Sequence, residues 1–456
     1  MSNAIDAFVG ENRPRFLEEL RAFLRIPSVS TSPAHKQDVE KAAQFVAAAL
    51  GAAGLENLEI IPTAGHPLVY ADWLHAPGKP TVLLYGHYDV QPPDPLELWE
   101  SPPFEPVERN GNLYARGSSD DKGQMYMHIK AVEALRAIRG TLPCNVKFLI
   151  EGEEEVGGAS IAKFVAENQA KLRADVALVS DTSLYADGVP TLCIGLRGLV
   201  YTEVEATGPA RDLHSGLYGG ASPNAVYGLM ELLARAKDRE GRLRIPGIYD
   251  DVREPAAEEL ASWKSLAFSE QEFLSREVGS SRLTGEPDRT VLERVWSRPT
   301  MEVHGIAGGF TGVGAKTVIP AKATAKVSFR LVAEQDPAKI VAVFKRWVAD
   351  NTPAGIRTAV RVLSSAPATL VDPKHPAIGV AAKVFAETLG RPTVFIRSGG
   401  SIPIVGDFAT HLGIPTVLMG FGLTDDALHS PNEKFKIANY YTGIATVARF
   451  LDEYGK

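Results

Sequence analysis

Three apolar segments of the sequence each lead into a histidine or a carboxylate, and this pattern constrains the fold most. They are TVLLYGH (81–87), CNVKFLIEGEEE (144–155) and ADVALVSD (174–181), and each is predominantly apolar before its polar end, as is typical of a strand buried on both faces. Helical patterns near 124–139 and 160–171 separate them. The alternation predicts an α/β fold with a doubly wound, mostly parallel sheet. Because the carboxyl ends of parallel strands meet at one edge, we expect the polar residues to share a cleft there.

The pattern changes after about residue 198. LVYTEVEATGP alternates apolar and polar residues, as does an antiparallel strand with one solvated face. Buried α/β patterns resume near residue 377. A chain of 456 residues is also too long for one ordinary core. We therefore predict one domain from 1–198 and 377–456, interrupted by an inserted α+β, ferredoxin-like domain at 199–376.

Composition excludes several classes of function. A net charge of −7 and a pI near 5.9 argue against a nucleic-acid partner and against a basic membrane-surface protein. No signal peptide is visible and no apolar stretch is long enough to span a bilayer. Cys144 and Cys193 lie in apolar, strand-like contexts, so we expect buried reduced thiols. These features predict a cytoplasmic protein with no nucleic-acid or membrane partner.

Acidic residues and histidines are concentrated at the predicted strand ends and the loops after them. The clusters are His87 with Asp89, Asp120 with Asp121, Glu153 with Glu154 and Glu155, Asp181, and His429. Carboxylates gathered in a dry cleft repel one another unless cations neutralise them. Two histidines with three or more carboxylates suit Zn²⁺ or Mn²⁺, and the number of ligands suits two ions.

Other signals carry less weight. GFTGVGAKT (309–317) has one residue too many between its last glycine and the lysine for a phosphate-binding loop. The His-Glu-x-x-His and Gly-x-Ser-x-Gly motifs do not occur, which removes the commoner zinc-protease and serine-hydrolase routes. The histidines outside the acidic clusters are expected to be structural or solvated. They are His35, His66, His75, His128, His304, His375 and His411.

Five motifs together resemble one enzyme family. GHYDVQP, ARGSSDDKG, EGEEEVG, LVSD and ALHSPNE, in this order, are similar to the M20-type di-metal peptidases. That family includes carnosinases, cytosolic non-specific dipeptidases, aminoacylases and succinyl-diaminopimelate desuccinylases. DLHSGLYGG, IPGIYDDV, GAKTVIP, SFRLV and GGSIP place the resemblance nearest to the branch of the dipeptidases and carnosinases. The likeness covers nearly the whole chain.

The resemblance implies two divalent metal ions per subunit, with Zn²⁺ expected and Mn²⁺ as the alternative. It assigns His87 and Asp181 to one ion, Glu155 and His429 to the other, and Asp120 as the bridge between them. The Asp-x-Lys-Gly pattern of the family selects Asp120 rather than its neighbour for this role. In the family the peptide after this aspartate is usually cis.

The resemblance also implies roles for two acids beside these ligands. Asp89 orients His87 without touching metal, and Glu154 is the general base. In the family the base directly precedes the ligand, and a glycine pair follows. This order favours Glu154 as base and Glu155 as ligand over Glu153 and Glu154. The ions would make hydroxide available from a bridging water near neutral pH, and Glu154 would take the proton and deliver it to the departing amine.

Substrate recognition is expected to use the inserted domain. The resemblance implies that Arg330 pairs with the C-terminal carboxylate of a peptide and that Thr317 and Ser401 line the same pocket. His214 is implied to stabilise the oxyanion from the partner subunit of a homodimer. The segment 199–376 would then act as a lid and dimerisation domain.

The function implied is metal-dependent hydrolysis of dipeptides with broad specificity. The alternative is an N-acyl-amino-acid amidohydrolase or a carboxypeptidase that uses the same two ions. A non-catalytic protein that binds a peptide or metal on this fold is a different class of function. The presence of Glu154 argues against that class, because loss of the base would be its signature.

Overall fold

A computed structural model describes residues 1–456, which form two compact units. The first unit contains residues 1–194, 371–396 and 403–456, and the second contains residues 195–370 and 397–402. None of the helices combines the length and the hydropathy that a bilayer crossing requires.

The helices differ widely in length, and the longest ones belong to the first unit. The helices are α1 (Ser2–Leu24), α2 (Lys36–Ala52), α3 (Lys122–Arg139), α4 (Ala159–Glu167), α5 (Gln169–Leu172), α6 (Ser215–Tyr218), α7 (Ala225–Ala234), α8 (Ala257–Ser265), α9 (Glu270–Glu272), α10 (Val291–Trp296), α11 (Pro337–Asn351), α12 (Pro376–Leu389), α13 (Pro403–Asp407) and α14 (Ile437–Tyr454).

Most strands are short, and the longest lie in the second unit. The strands are β1 (Glu56–Ile61), β2 (Leu68–Trp73), β3 (Thr81–His87), β4 (Val107–Arg109), β5 (Asn112–Tyr114), β6 (Asn145–Glu151), β7 (Val176–Val179), β8 (Thr191–Leu196), β9 (Gly198–Thr207), β10 (Leu213–His214), β11 (Thr300–Gly308), β12 (Val318–Ile319), β13 (Lys322–Leu331), β14 (Arg357–Ala366), β15 (Thr369–Leu370), β16 (Val394–Ser398), β17 (Thr416–Leu418) and β18 (Lys434–Lys436).

The first unit is built on a sheet in which β1, β2, β6, β3, β7, β17 and β8 follow one another. The four central strands, β6, β3, β7 and β17, are parallel. The predicted α/β class with a mostly parallel sheet is confirmed. The outer pairs β1–β2, β2–β6 and β17–β8 are antiparallel, and the sequence did not predict this reversal.

Helices α1, α2, α3, α12 and α14 pack around one large core on this sheet. In α1, the buried residues Phe16, Leu20 and Phe23 recur at helical spacing and form its apolar face. The other face of β3 is also covered, since Tyr85 packs edge to face against Phe408 at a ring separation of 6.0 Å. Both faces of the central strands are therefore buried, as their predominantly apolar segments predicted.

The second unit contains a four-stranded antiparallel sheet in the order β11, β13, β9 and β14, with α7 and α11 packed on it. Its elements follow the chain as βαββαβ, which is the ferredoxin-like arrangement predicted for the insertion. In β9 every second residue is buried, so the predicted alternation with one solvated face is confirmed.

Two local predictions differ from the structure. Leucine, phenylalanine and isoleucine at helical spacing predict a first helix over residues 13–26, whereas α1 begins at Ser2 and continues through Pro14. Buried Ile5 and Val9 extend its apolar face toward the N-terminus. The helix predicted over 160–171 is two helices, α4 and α5, that meet at Asn168. Both cysteines are buried and outside any disulfide, as expected.

Candidate metal centre

The carboxyl ends of β3, β6 and β7 bring the predicted site residues to one edge of the sheet. β3 ends at fully buried His87, and Asp181 lies two residues beyond β7. β6 leads into a short 3₁₀ turn, Glu154–Val156, which carries Glu155. Asp120 lies in the loop before α3 and His429 in the loop before β18, and both loops reach this edge. Convergence at the carboxyl edge is the arrangement expected for parallel strands.

Two groups of potential ligands share one carboxylate. In the first group, His87 Nε2 lies 3.2 Å from Asp120 Oδ1 and 4.0 Å from Asp181 Oδ2. In the second, His429 Nε2 lies 3.0 Å from Asp120 Oδ2 and 3.4 Å from Glu155 Oε2. Within each group the ligand atoms lie within 4.8 Å of one another. Asp120 thus presents one oxygen to each group.

The chemistry of the two groups fits divalent cations. His87 Nε2 is buried and makes no hydrogen bond of standard geometry, so a nitrogen lone pair can be directed at the cluster. Burial and the nearby charge of Asp120 raise the pKa of Asp181 to about 7, and burial raises the pKa of Glu154 well above its ordinary value. The carboxylates therefore resist ionising together, and positive charge is what would relieve this repulsion. Imidazole and carboxylate donors in this number suit Zn²⁺ or Mn²⁺.

The histidines respond to the same charges in the opposite direction. Hydrogen bonding to Asp120 and Glu155 raises the pKa of His429 to about 10. Burial opposes protonation of His87, but the nearby carboxylates of Asp120 and Asp89 outweigh it and raise its pKa. Imidazolium groups thus compensate the carboxylates where no cation does.

Asp89 supports two of the elements that form the cluster. His87 Nδ1 lies 3.1 Å from the carbonyl oxygen of Asp89 and 3.3 Å from its carboxylate. The same carboxylate accepts the backbone N–H groups of Glu154 at 3.3 Å and Glu155 at 3.1 Å. Asp89 thereby fixes both the ring of His87 and the turn that carries the next two acids.

The backbone around Asp120 and His429 is unusual. The Asp120–Asp121 peptide is cis, as the resemblance implies. His429 has a φ of 59°, in the left-handed region that non-glycine residues seldom adopt. Ala427 and Asn432 in the same loop also have positive φ values. Such conformations persist only where surrounding contacts hold them.

Sequence reasoning assigned no role to two side chains that contact this cluster. Gln91 Nε2 donates to Glu155 Oε2 at 2.8 Å. Glu433 accepts the backbone N–H of Asp120 at 3.1 Å. Gln91 lies in the motif GHYDVQP and Glu433 in the motif ALHSPNE. Their closeness in sequence to the ligands His87 and His429 was the one signal that could have identified them.

The remaining predicted residues belong to the second unit, where they form two local pairs. Arg330 Nη1 donates to Ser401 Oγ at 2.8 Å. His214 on β10 is opposite Val318 on β12, which places it beside Thr317, whose carbonyl accepts the Ser215 N–H at 3.2 Å. His214 is exposed, and its Nδ1 accepts the N–H of Gly216 at 3.0 Å.

The fold and this cluster define a metallopeptidase. Residues 83–453 match peptidase family M20/M25/M40, and the chain belongs to this family. The predicted family and the predicted class, a hydrolase of peptide bonds, are therefore confirmed.

Individual relatives extend the match over the full length. The Cys-Gly metallodipeptidase DUG1 of Candida albicans is 32% identical, over 98% of this chain and 96% of that protein. The Beta-Ala-His dipeptidase of Homo sapiens is 31% identical, over 96% of this chain and 86% of that protein. The structure of the M20 family metallo-carboxypeptidase Sso-CP2 from Sulfolobus solfataricus is similar with a TM-score of 0.87. It is 31% identical and covers 96% of this chain and 99% of that chain.

Proposed function

We propose that this metallopeptidase hydrolyses dipeptides with broad specificity, using two divalent cations held at the candidate metal centre. The observation that carries the proposal is the sharing of Asp120 between two groups of ligands, each with one histidine. Two relatives that match almost the whole chain are named as dipeptidases, one for Cys-Gly and one for Beta-Ala-His. The two relatives are named for different dipeptides, which favours a site that tolerates varied side chains.

In this proposal five side chains bind two ions. Each ion has two ligands of its own, and the fifth ligand is shared between them. His87 and Asp181 hold one ion, Glu155 and His429 hold the other, and Asp120 bridges them. Zn²⁺ is the proposed ion and Mn²⁺ the alternative, because imidazole and carboxylate ligands suit both. Bound there, such cations lower the pKa of a water molecule and polarise the scissile carbonyl.

Glu154 is the proposed general base. Its backbone N–H is bound by Asp89, and it directly precedes Glu155 in the turn at the edge of the cluster. The carboxylate accepts a proton from the attacking water and later gives it to the departing amine. Asp89 assists as a positioning residue, through the hydrogen bonds to His87 and to the Glu154 turn.

Substrate recognition is assigned to the second unit. Arg330 offers a planar guanidinium for bidentate contact with a terminal carboxylate, and Ser401 orients it. Arg330 donates to a neutral hydroxyl, Ser401 Oγ, rather than to a carboxylate, so its charge is available to a substrate. Thr317 lines the same pocket in this proposal, and His214 contributes a donor to the oxyanion.

A homodimer is part of the proposal. The second unit exposes a set of large apolar side chains that a monomer would leave in water. They are Leu217, Tyr218, Tyr227, Met230, Ile306 and Phe310. Burial of this surface against a second copy would let exposed His214 act in the partner's site. Residues 199–376 would then be the lid and dimerisation domain, and residues 1–198 and 377–456 the catalytic domain.

A cytoplasmic location is proposed with this function. Cys144 and Cys193 are buried thiols outside any disulfide, which is usual in a reducing compartment. The alternative functions use the same cations on other substrates. A carboxypeptidase is supported by the similarity to the metallo-carboxypeptidase of Sulfolobus solfataricus. An N-acyl-amino-acid amidohydrolase would need an acyl pocket in place of room for a free α-amino group.

A substrate panel with three proteins tests the proposal. Dipeptides, tripeptides and N-acyl amino acids are offered to the wild type, to Glu154→Gln and to the adjacent control Glu153→Gln, each loaded with Zn²⁺ or Mn²⁺. Dipeptides should be the best substrates, and Glu154→Gln should lose about 10²–10⁴-fold in kcat. The control should retain activity, and both variants should keep two metal equivalents.

Chelation and metal return complete the test. A chelator should abolish hydrolysis, and Zn²⁺ or Mn²⁺ should restore it. A kcat of Glu154→Gln close to that of the wild type, or full activity in protein stripped of metal, would contradict the mechanism. A clear preference for tripeptides or for N-acyl amino acids would favour the alternatives.

A further inference from the structure

Two loops that carry potential ligands are joined by buried carboxylates. We name residues 115–121 the Asp120 loop and residues 423–433 the His429 loop. Glu433, at the end of the His429 loop, is fully buried. Its carboxylate accepts the backbone N–H groups of Gly117 at 2.8 Å, Ser119 at 2.9 Å and Asp120 at 3.1 Å. One side chain therefore organises most of the Asp120 loop.

The charge of Glu433 is compensated within the same contact. Arg116 Nη1 lies 2.8 Å from Glu433 Oε2, and both side chains are almost completely buried. Arg116 Nη2 also donates to the carbonyl of Ser430, the residue after His429, at 3.2 Å. Burial raises the pKa of Glu433 to about 7, whereas the Arg116 guanidinium and the backbone N–H donors favour its charged form.

A second buried carboxylate joins the same loops. Asp426 accepts the Ser119 hydroxyl at 2.9 Å and the Leu423 N–H at 2.8 Å, and Lys434 Nζ lies 3.0 Å away. Gln124, on α3, also holds the Asp120 loop, since its Nε2 donates to the Ser119 carbonyl at 3.0 Å. The loops are thus connected by side chains of both charge types.

The ligand that these contacts serve has little packing of its own. The side chain of His429 is 55% exposed, and its backbone is in the left-handed region. Its position relative to Asp120 therefore depends on how the His429 loop is fixed. Glu433 and Arg116 are the buried groups that fix it to the Asp120 loop.

We propose that Glu433 is a positioning residue that sets the separation of His429 and Asp120, and through it the affinity for the cation they share. The inference rests on the proposed function, because it assumes that these two side chains are ligands. The other group should be less sensitive, since β3 and β7, two paired central strands, support His87 and Asp181. Residues that orient metal ligands typically change affinity when they are replaced.

Glu433→Gln tests this role with little change in size. The amide replaces one acceptor oxygen by a donor that faces N–H groups, so the Asp120 loop loses its anchor. Full-length protein stripped of metal is titrated with Zn²⁺ in competition with a chromophoric chelator. The wild type should bind two equivalents. In Glu433→Gln one equivalent should bind about 10–100-fold more weakly, and the other, which shares Asp120 but keeps His87 and Asp181, should weaken less.

Glu286→Gln is the matched control. Glu286 is a buried acid of the second unit and accepts from Arg298 at 2.9 and 3.0 Å. The control therefore also removes the charge from a buried arginine–glutamate pair. It should lower the denaturation midpoint and leave both Zn²⁺ affinities unchanged. A role limited to stability predicts this same behaviour for Glu433→Gln.

Ser119→Ala provides a second variant that keeps every charge. It removes only the hydroxyl that Asp426 accepts, and one Zn²⁺ affinity should fall by about threefold or more. Unchanged affinities in folded Glu433→Gln would overturn the inference. If circular dichroism shows that Glu433→Gln is unfolded, unchanged affinities in Ser119→Ala would do so. A wild-type protein that binds fewer than two equivalents would instead contradict the proposed function.

Discussion

His128 should make the first unit sensitive to mild acid. The ring lies on α3 and is fully buried, with Nε2 2.7 Å from Ser180 Oγ. Because the Ser180 hydroxyl donates to the Met419 carbonyl at 2.8 Å, the imidazole must be the donor to Ser180. Nδ1 is buried without a partner, so a second proton would have no acceptor. Burial lowers the pKa of His128 to about 3.

The sign and size of the effect follow from linkage. Between pH values of about 3 and about 6.5 the unfolded chain binds a proton at this histidine and the folded chain does not, so stability rises with pH. The free energy lost on going from about pH 7.5 to about pH 5 is then about 2 kcal/mol for this one group, at about 1.4 kcal/mol per pH unit. Below about pH 3 the folded protein also protonates and no more is lost.

Urea denaturation measures this loss of stability. Wild type and His128→Gln are unfolded at both pH values in the presence of a chelator, and unfolding is followed by circular dichroism. Gln can still donate to Ser180 but does not titrate. Its loss of stability on acidification should be smaller than that of the wild type by about 2 kcal/mol. His75→Gln, which removes an exposed histidine, is the control and should behave as the wild type. Equal losses in wild type and His128→Gln would refute the reasoning.

Three further predictions concern other parts of the chain. Burial raises the pKa of the Cys144 thiol to about 12, and Cys193 is also buried, so a disulfide reagent should label neither in native protein and both in denaturant. Arg330→Lys should lower kcat/KM about tenfold or more for dipeptides but less for their C-terminal amides, because lysine loses bidentate contact with the carboxylate. Equal losses on both substrates would contradict that role. Tyr227→Glu places a charge on a side chain that is 68% exposed, and it should shift the oligomer to monomer in sedimentation. An unchanged sedimentation coefficient would exclude Tyr227 from the interface.

Local sequence patterns were sufficient to predict the central strands and the functional residues at their ends. TVLLYGH and NVKFLIE are predominantly apolar, and such segments form strands buried on both faces wherever helices cover them. Parallel pairing then brings His87 and Asp181 to one edge without further information. The ferredoxin-like unit was accessible for the same reason, since the alternation in β9 identifies its buried face.

Contacts between residues distant in the chain could not be predicted from the sequence. Glu433 is about three hundred residues from the amides it accepts, and no periodicity relates them. Strand direction at the sheet edges is also absent from local patterns, because an antiparallel strand buried on both faces, such as β2, has the same apolar run as a parallel one. β14 was missed because most of its residues are exposed and its apolar pattern is weak.

The order in which the units are completed has a consequence for synthesis of the chain. A nascent chain that has reached residue 402 contains the whole second unit, but it lacks residues 403–456 of the first. Those residues include β17, which pairs with β7, and α14, which packs on α3. Domains fold as their residues emerge from the ribosome. The second unit can therefore fold while the first is still open, and His429 joins the cluster only with the last segment. An incomplete chain released early would lack one of its two histidines and could not assemble the site.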